Sequence, residues 1–297
     1  MIEIGSPRKI CASKSSFWQK RPPWSIQGEV PTFKPVCGRF TVYGEISELK
    51  MAVSAQFEQL FRPWYPRYNI SPSAGPGHEQ LIAVTGEDGQ RVLKLARWWF
   101  IPSSWNKPLN KLPTAFNARA EDIDQKRLWK GAIKGNRCLV PATGWREFVG
   151  SAGKKQPYHF HMAEDRIFAF AGLVSSWVSP EGESVDSFSI ITTEANDIVK
   201  PIHDRMPLVV PADRYDDWLA ETAEPLQALN ELCNRSRQQP VEVYPSDRVA
   251  NDGRYEGPLA IKKVELAPPA PKEEPAQQSL FGFAYDVPTK ASRRRRA

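Results

Sequence analysis

Ile167-Phe168-Ala169-Phe170-Ala171-Gly172-Leu173-Val174-Ser175-Ser176-Trp177 reads as a strand, and the fold follows from how many like it surround it. Further apolar strand candidates occupy residues 137–141, 158–162, 188–192 and 208–210, with 241–244 near the end. Upstream, 40–43 reads as a short strand, and 81–84 with 92–98 read as a hairpin across Gly86-Glu87-Asp88-Gly89. Helical spacing is rarer. Ile46, Leu49, Val53, Phe57 and Leu60 predict an amphipathic helix over 45–61, a polar helix is expected over 117–133, and two more lie around 212–219 and 225–233. Strands dominate without a βαβ rhythm, which predicts an α+β domain with a mostly antiparallel, barrel-like sheet and peripheral helices.

The 297 residues suffice for a sizeable core, and 41% apolar with 25% charged residues is an ordinary globular balance. No apolar run approaches the roughly 20 residues of a membrane span, and residues 1–35 lack the apolar segment of a secretory signal. These features predict a cytoplasmic protein without membrane contact; a nucleoid-associated monomer is the further expectation. Residues 1–36 mix Lys, Ser and Pro with isolated aromatics and read as a disordered extension. The globular domain is expected over 37–266, and the Pro-, Glu- and Lys-rich residues 267–297 read as a tail.

A net charge of +6 suggests nucleic acid, but residues 1–36 carry a net +4 and 289–297 a net +5, leaving about −3 between them. DNA binding must therefore rest on local arginines. Cys11, Cys37, Cys138 and Cys233 are too far apart in sequence for a close-pair zinc or redox motif, so neither a metal nor a cofactor is expected.

Four polar spots stand out. Glu147, in Gly144-Trp145-Arg146-Glu147-Phe148, sits between aromatics, where burial would raise a carboxyl toward acid/base range; a strand-end Glu paired to Arg146 or to solvent is the plainer role. His203 stands beside Asp204 and Arg205, suited to proton transfer or equally to a structural turn. Asn117 precedes the polar helix as an N-cap, and Arg119 in its first turn opposes the macrodipole, which hints at an anionic partner. Trp98, Trp99, Phe100 and Trp105 border a Pro-containing loop. Such aromatics stack unpaired bases at roughly 1 to 3 kcal/mol each, although core packing is expected for at least two of them. His159 and His161 share one strand face and read as packing.

Cys37-Gly38-Arg39-Phe40, Tyr68-Asn69, Asn117-Ala118-Arg119, Arg137-Cys138-Leu139-Val140-Pro141, Trp145-Arg146-Glu147 and His203-Asp204-Arg205-Met206-Pro207 together resemble, in order, the SOS response-associated peptidase (SRAP) family over about 37–255. Trp98-Trp99-Phe100-Ile101-Pro102 departs from the family's Trp-Gly. The resemblance implies an abasic-site sensor whose N-terminal cysteine, here Cys37, crosslinks to single-stranded DNA or to single-strand/duplex junctions. Asn117, Glu147 and His203 would complete the catalytic set, and Arg39, Asn69, Arg119 and Arg205, with Trp98 and Trp105, would hold DNA. It also implies an autopeptidase or lyase-like activity; a processing cysteine peptidase and a noncatalytic DNA-binding module are the alternatives. An internal Cys37 has an acylated nitrogen, so the expected mature chain begins at Cys37, through a start at Val36 or self-cleavage. In the tail, Gln277-Gln278-Ser279-Leu280-Phe281 resembles the pentapeptide that binds the bacterial replicative sliding clamp.

Overall fold

The computed structural model describes residues 37–57 and 64–266, apart from 74, 76, 152 and 223. The extension before Cys37, the far end of the first expected helix, and the tail with Gln277, Leu280 and Phe281 lie outside the described residues.

The elements in order are β1 (Phe40–Val42), α1 (Ile46–Val53), β2 (Gln56–Phe57), β3 (Arg67–Ile70), β4 (Glu79–Thr85), β5 (Arg91–Trp98), β6 (Asn117–Arg119), α2 (Ala132–Gly135) and β7 (Arg137–Ala142). There follow β8 (Gly144–Val149), β9 (Gln156–Met162), β10 (Phe168–Val178), β11 (Ser184–Glu194), β12 (Arg205–Pro207), β13 (Val209–Val210), α3 (Tyr215–Leu219), α4 (Pro225–Arg237) and β14 (Val241–Pro245). The fold is the expected α+β class.

Two sheets carry it. The larger runs β12-β11-β10-β7-β4-β5-β2, and β11 also pairs in parallel with β5 through Ser187–Arg97 and Phe188–Trp98. That extra pairing closes β5, β4, β7, β10 and β11 into a five-stranded barrel, whose remaining neighbours are antiparallel. The smaller sheet, β14-β9-β8-β1-β3, is antiparallel throughout.

Aromatic side chains join the sheets. Phe40 of β1 meets Trp98 of the barrel edge-on at 5.0 Å and Phe170 at 6.2 Å, while Trp145 of β8 stacks on Phe160 at 5.1 Å and touches Phe168 and Phe170 edge-on. Each such pair adds about 0.5–1.5 kcal/mol to the burial of the rings themselves. Gly144 makes the close approach of β8 and β9 possible: a Cβ there would lie 2.5 Å from the Phe160 carbonyl oxygen and from the His159 ring.

Two expected helices end differently. α1 opens on a capping box between Glu45 and Glu48, then stops at Ser54, which adopts the left-handed region (φ 48°) with its N–H on the Met51 carbonyl. Phe57, whose spacing suggested a longer helix, pairs instead with Leu93 of β5. The polar helix expected over 117–133 is replaced at its start by β6, which lies parallel to Ile190–Thr192 of β11. Sheet hydrogen bonding overrides a weak helical pattern here, and only residues 132–135 remain α-helical. Among the described residues no helix is long and apolar enough to cross a membrane.

Candidate active site

Strand alternation on β8 places Trp145 and Glu147 on one face and Arg146 on the other. β8 pairs with β1 through Phe40–Trp145 and Thr41–Gly144, and the Arg146 N–H donates to the Arg39 carbonyl at 3.0 Å. This register carries Cys37, three residues before the start of β1, to the Glu147 carboxylate. The Cys37 backbone N–H donates to Glu147 Oε1 at 2.8 Å, across 110 positions of sequence. From the other side, Asn117 Nδ2 on β6 donates to the Cys37 carbonyl at 3.4 Å. Cys37 is held in the left-handed region, at φ 43°, which a non-glycine residue adopts only when its surroundings impose it.

Both the Cys37 side chain and the Glu147 carboxylate are buried. Burial first, and the charge of Glu147 second, push the Cys37 thiol well above its ordinary range, so the sulfur stays protonated at neutral pH. Beside Glu147 opens a cavity of about 480 Å³, lined by Gly38, Arg39, Phe148, Lys155 and Asn251 among others. Sequence reasoning misses Lys155 and Asn251; the one signal for Lys155 is its place in a Gly-rich turn just after Glu147.

His203 lies in the turn leading into β12, buried, with its N–H on the Val199 carbonyl. Its Nδ1 accepts from the Arg205 N–H at 3.0 Å and lies 2.9 Å from Asp204 Oδ1. The first contact needs an unprotonated Nδ1 and the second a protonated one.

Several residues expected to contact DNA are held by partners within the fold. Trp98 is fully buried, donates from Nε1 to the Phe116 carbonyl at 2.8 Å and stacks on Phe188, so it has no face for a base. Phe100 is likewise core, whereas Trp99 stays half-buried. Trp105 packs in a satellite cluster with Ile101, Trp177 and Val185, and its carbonyl accepts from Trp177 Nε1. Asn69 is buried, donates to the Asp252 carbonyl at 2.8 Å and accepts from Arg146 Nη1 at 2.7 Å. Arg205 is buried and bound to Glu121 at 2.8 Å and to the Thr192 carbonyl at 2.7 Å.

Arg39, half-buried against Gly253, sits in the field of Glu256 and Asp252, while burial pulls its guanidinium below its ordinary range. Arg119 is exposed at the end of β6, so the macrodipole argument does not apply to it. Glu147 does not pair with Arg146, which points to the opposite face and binds Asn69 and the Ala260 carbonyl. His159 and His161 are both buried and stacked, with ring centroids 5.9 Å apart, as packing residues.

The family described as SOS response associated peptidase (SRAP) matches residues 36–252, and the chain belongs to it. It is 28% identical over 232 residues to abasic site processing protein YoqW of Bacillus subtilis, covering 76% of this chain and 99% of that one. Abasic site processing protein HMCES of Gallus gallus is 30% identical, over 72% of this chain and 70% of its own. Among solved structures, a phage-related protein from Bordetella bronchiseptica matches with a TM-score of 0.53 at 26% identity, covering 71% of this chain and 95% of its own.

The buried Arg146 network gives a test of which arginines are structural. Arg146→Ala strands the Asn69 carbonyl oxygen and the Ala260 carbonyl, and should lower the urea unfolding free energy by about 3 kcal/mol. An unchanged midpoint would show that the network does not hold β3, β8 and the 250–260 turns together.

Proposed function

We propose that this chain recognises abasic sites in single-stranded DNA, or at single-strand/duplex junctions, and bonds to them covalently through Cys37. The observation that carries the reading is the 2.8 Å contact between the Cys37 nitrogen and Glu147. A carboxylate on a backbone nitrogen is of little use while that nitrogen is an amide. It becomes a proton-transfer partner once the nitrogen is an α-amine, so the working form begins at Cys37.

The chemistry then runs in two steps. An α-amine with an ordinary pKa near 7.7–8.0 is in part neutral at pH 7 and attacks the aldehyde of the ring-opened sugar, releasing water to form an imine. The Cys37 S–H then adds across C=N: sulfur bonds the carbon, the π pair moves to nitrogen, and the proton follows it, closing a five-membered thiazolidine. A protonated thiol makes the amine the first nucleophile, in keeping with the raised Cys37 pKa. Glu147 exchanges protons with the nitrogen and the departing oxygen, Asn117 fixes the Cys37 carbonyl, and His203 acts on the opened sugar.

Self-cleavage is a second reading of the same contact. Glu147 Oε1 lies 2.8 Å from the Cys37 nitrogen, the atom that leaves when the Val36–Cys37 bond is cut. Thiol attack on the Val36 carbonyl would move the acyl group to sulfur as a thioester, with the nitrogen leaving protonated; water would then hydrolyse the thioester, releasing the upstream segment as a carboxylate and freeing both the thiol and the amine of Cys37, which would explain a peptidase label.

Incubating protein that begins at Cys37 with abasic single-stranded DNA should give a heat-stable adduct on a denaturing gel. Cys37→Ala should abolish it, and Glu147→Gln should slow it about 100-fold or more. A confirmed free Cys37 that forms no adduct overturns the proposal, as does crosslinking by chains that retain residues 1–35.

We also propose that Gln277, Leu280 and Phe281 bind a sliding clamp in a peptide-in-groove mode. Leu280→Ala with Phe281→Ala should abolish clamp pulldown; undiminished capture would refute the motif.

A further inference from the structure

We infer that the strip Lys154, Lys155 and Arg248, beside the cavity at Glu147, is the phosphate-binding rim for the DNA strand on that side of the lesion. The inference rests on the abasic-DNA reading above and adds residues that neither the sequence pattern nor the family description assigns.

Several arginines of the domain already have counter-charges or acceptors. Arg205 is bound to Glu121, Arg67 to Glu256 at 2.8 Å, and Arg254 to Asp252 at 3.1 Å, while Arg39 lies in the field of Asp252 and Glu256. Arg146 is buried among Asn69 and backbone carbonyls. A phosphate that recruited any of these would first have to displace an internal partner.

The strip is different. Among the described residues neither Lys154 nor Lys155 has an ion pair, and Arg248 donates from Nε to a neutral acceptor, Gln156 Oε1, at 3.2 Å. All three are exposed. Their backbone is also fixed. Asn251 Nδ2 donates to the Lys155 carbonyl at 3.0 Å, Gln156 Nε2 to the Ser246 carbonyl at 2.8 Å, and Asp247 Oδ1 accepts from the Val249 N–H at 2.9 Å. These bonds tie the β8–β9 turn to the 246–251 segment as one unit. Lys155 lines the same cavity as Glu147, so a strand whose sugar reaches Glu147 passes its neighbouring phosphate along this rim. Ordered backbone beneath uncompensated charge is what phosphate positioning requires.

The test measures noncovalent binding, with a single-stranded oligonucleotide carrying one tetrahydrofuran in place of the abasic sugar. That analogue has no aldehyde and cannot crosslink. Fluorescence anisotropy across a salt series gives the slope of log K against log salt, whose magnitude is about 0.7 for each phosphate that the protein neutralises on a single strand. Lys155→Ala should reduce the slope by about 0.7, and the triple variant with Lys154→Ala and Arg248→Ala by about 2, with the melting temperature unchanged. Slopes equal to wild type in the triple variant overturn the inference. If the slope falls as expected but wild-type protein starting at Cys37 forms no adduct with true abasic DNA, the rim stands as a nucleic-acid surface and the covalent reading alone fails.

Discussion

A single hydrogen bond, from the nitrogen of Cys37 to the carboxylate of Glu147, organises this molecule. It spans 110 positions and exists only because β1 pairs with β8 in one register, set by Phe40 opposite Trp145. A one-residue slip would turn Glu147 to the far face and bring Arg146 to the cysteine. The aromatic contacts of Phe40 with Trp98 and of Trp145 with Phe160 hold that register by burying large rings on the same face as the carboxylate. Packing and chemistry therefore depend on the same alternation.

Electrostatics divide the polar residues into two groups. Arg146, Asn69 and Arg205 are buried and bound to partners within the fold, so these hydrogen bonds contribute to cohesion. Arg119 and the Lys154–Lys155–Arg248 strip are exposed, and their fields extend into solvent. Cys37 stands between the groups: buried deeply enough to stay a thiol, yet adjacent to a cavity open beside Glu147.

Much of the fold is legible in the sequence because hydrophobic period reports burial directly. The β4–β5 hairpin, β7, β9 through β11 and α4 all lie where alternation or helical spacing places them. The failures share a cause. Asn117 reads locally as a helix cap, but its partner, Ile190, is 73 positions away and invisible to any local pattern. Trp98 looks like a stacking aromatic because indole chemistry is the same exposed or buried; only barrel closure onto Phe188 decides. Asn69 and Arg205 carry the residue types of DNA contacts, yet their partners, Arg146 and Glu121, come from distant segments. The one local signal for Lys155, its place in a Gly-rich turn, is weak because a lysine there is usually a solvated charge, and its nearness to Glu147 needs the β8–β9 register to be seen.

In the proposed chemistry both the nitrogen and the sulfur of Cys37 end on one sugar carbon, and everything else depends on that. Protein that begins at Cys37 can be bonded to an abasic oligonucleotide, treated with iodoacetamide under denaturing conditions, digested and sequenced by tandem mass spectrometry. The expected product carries a sugar remnant on Cys37 and no alkyl group on its sulfur, while Cys138 and Cys233 are alkylated. A remnant on a lysine, or on a Cys37 whose thiol still takes the alkyl group, would contradict it.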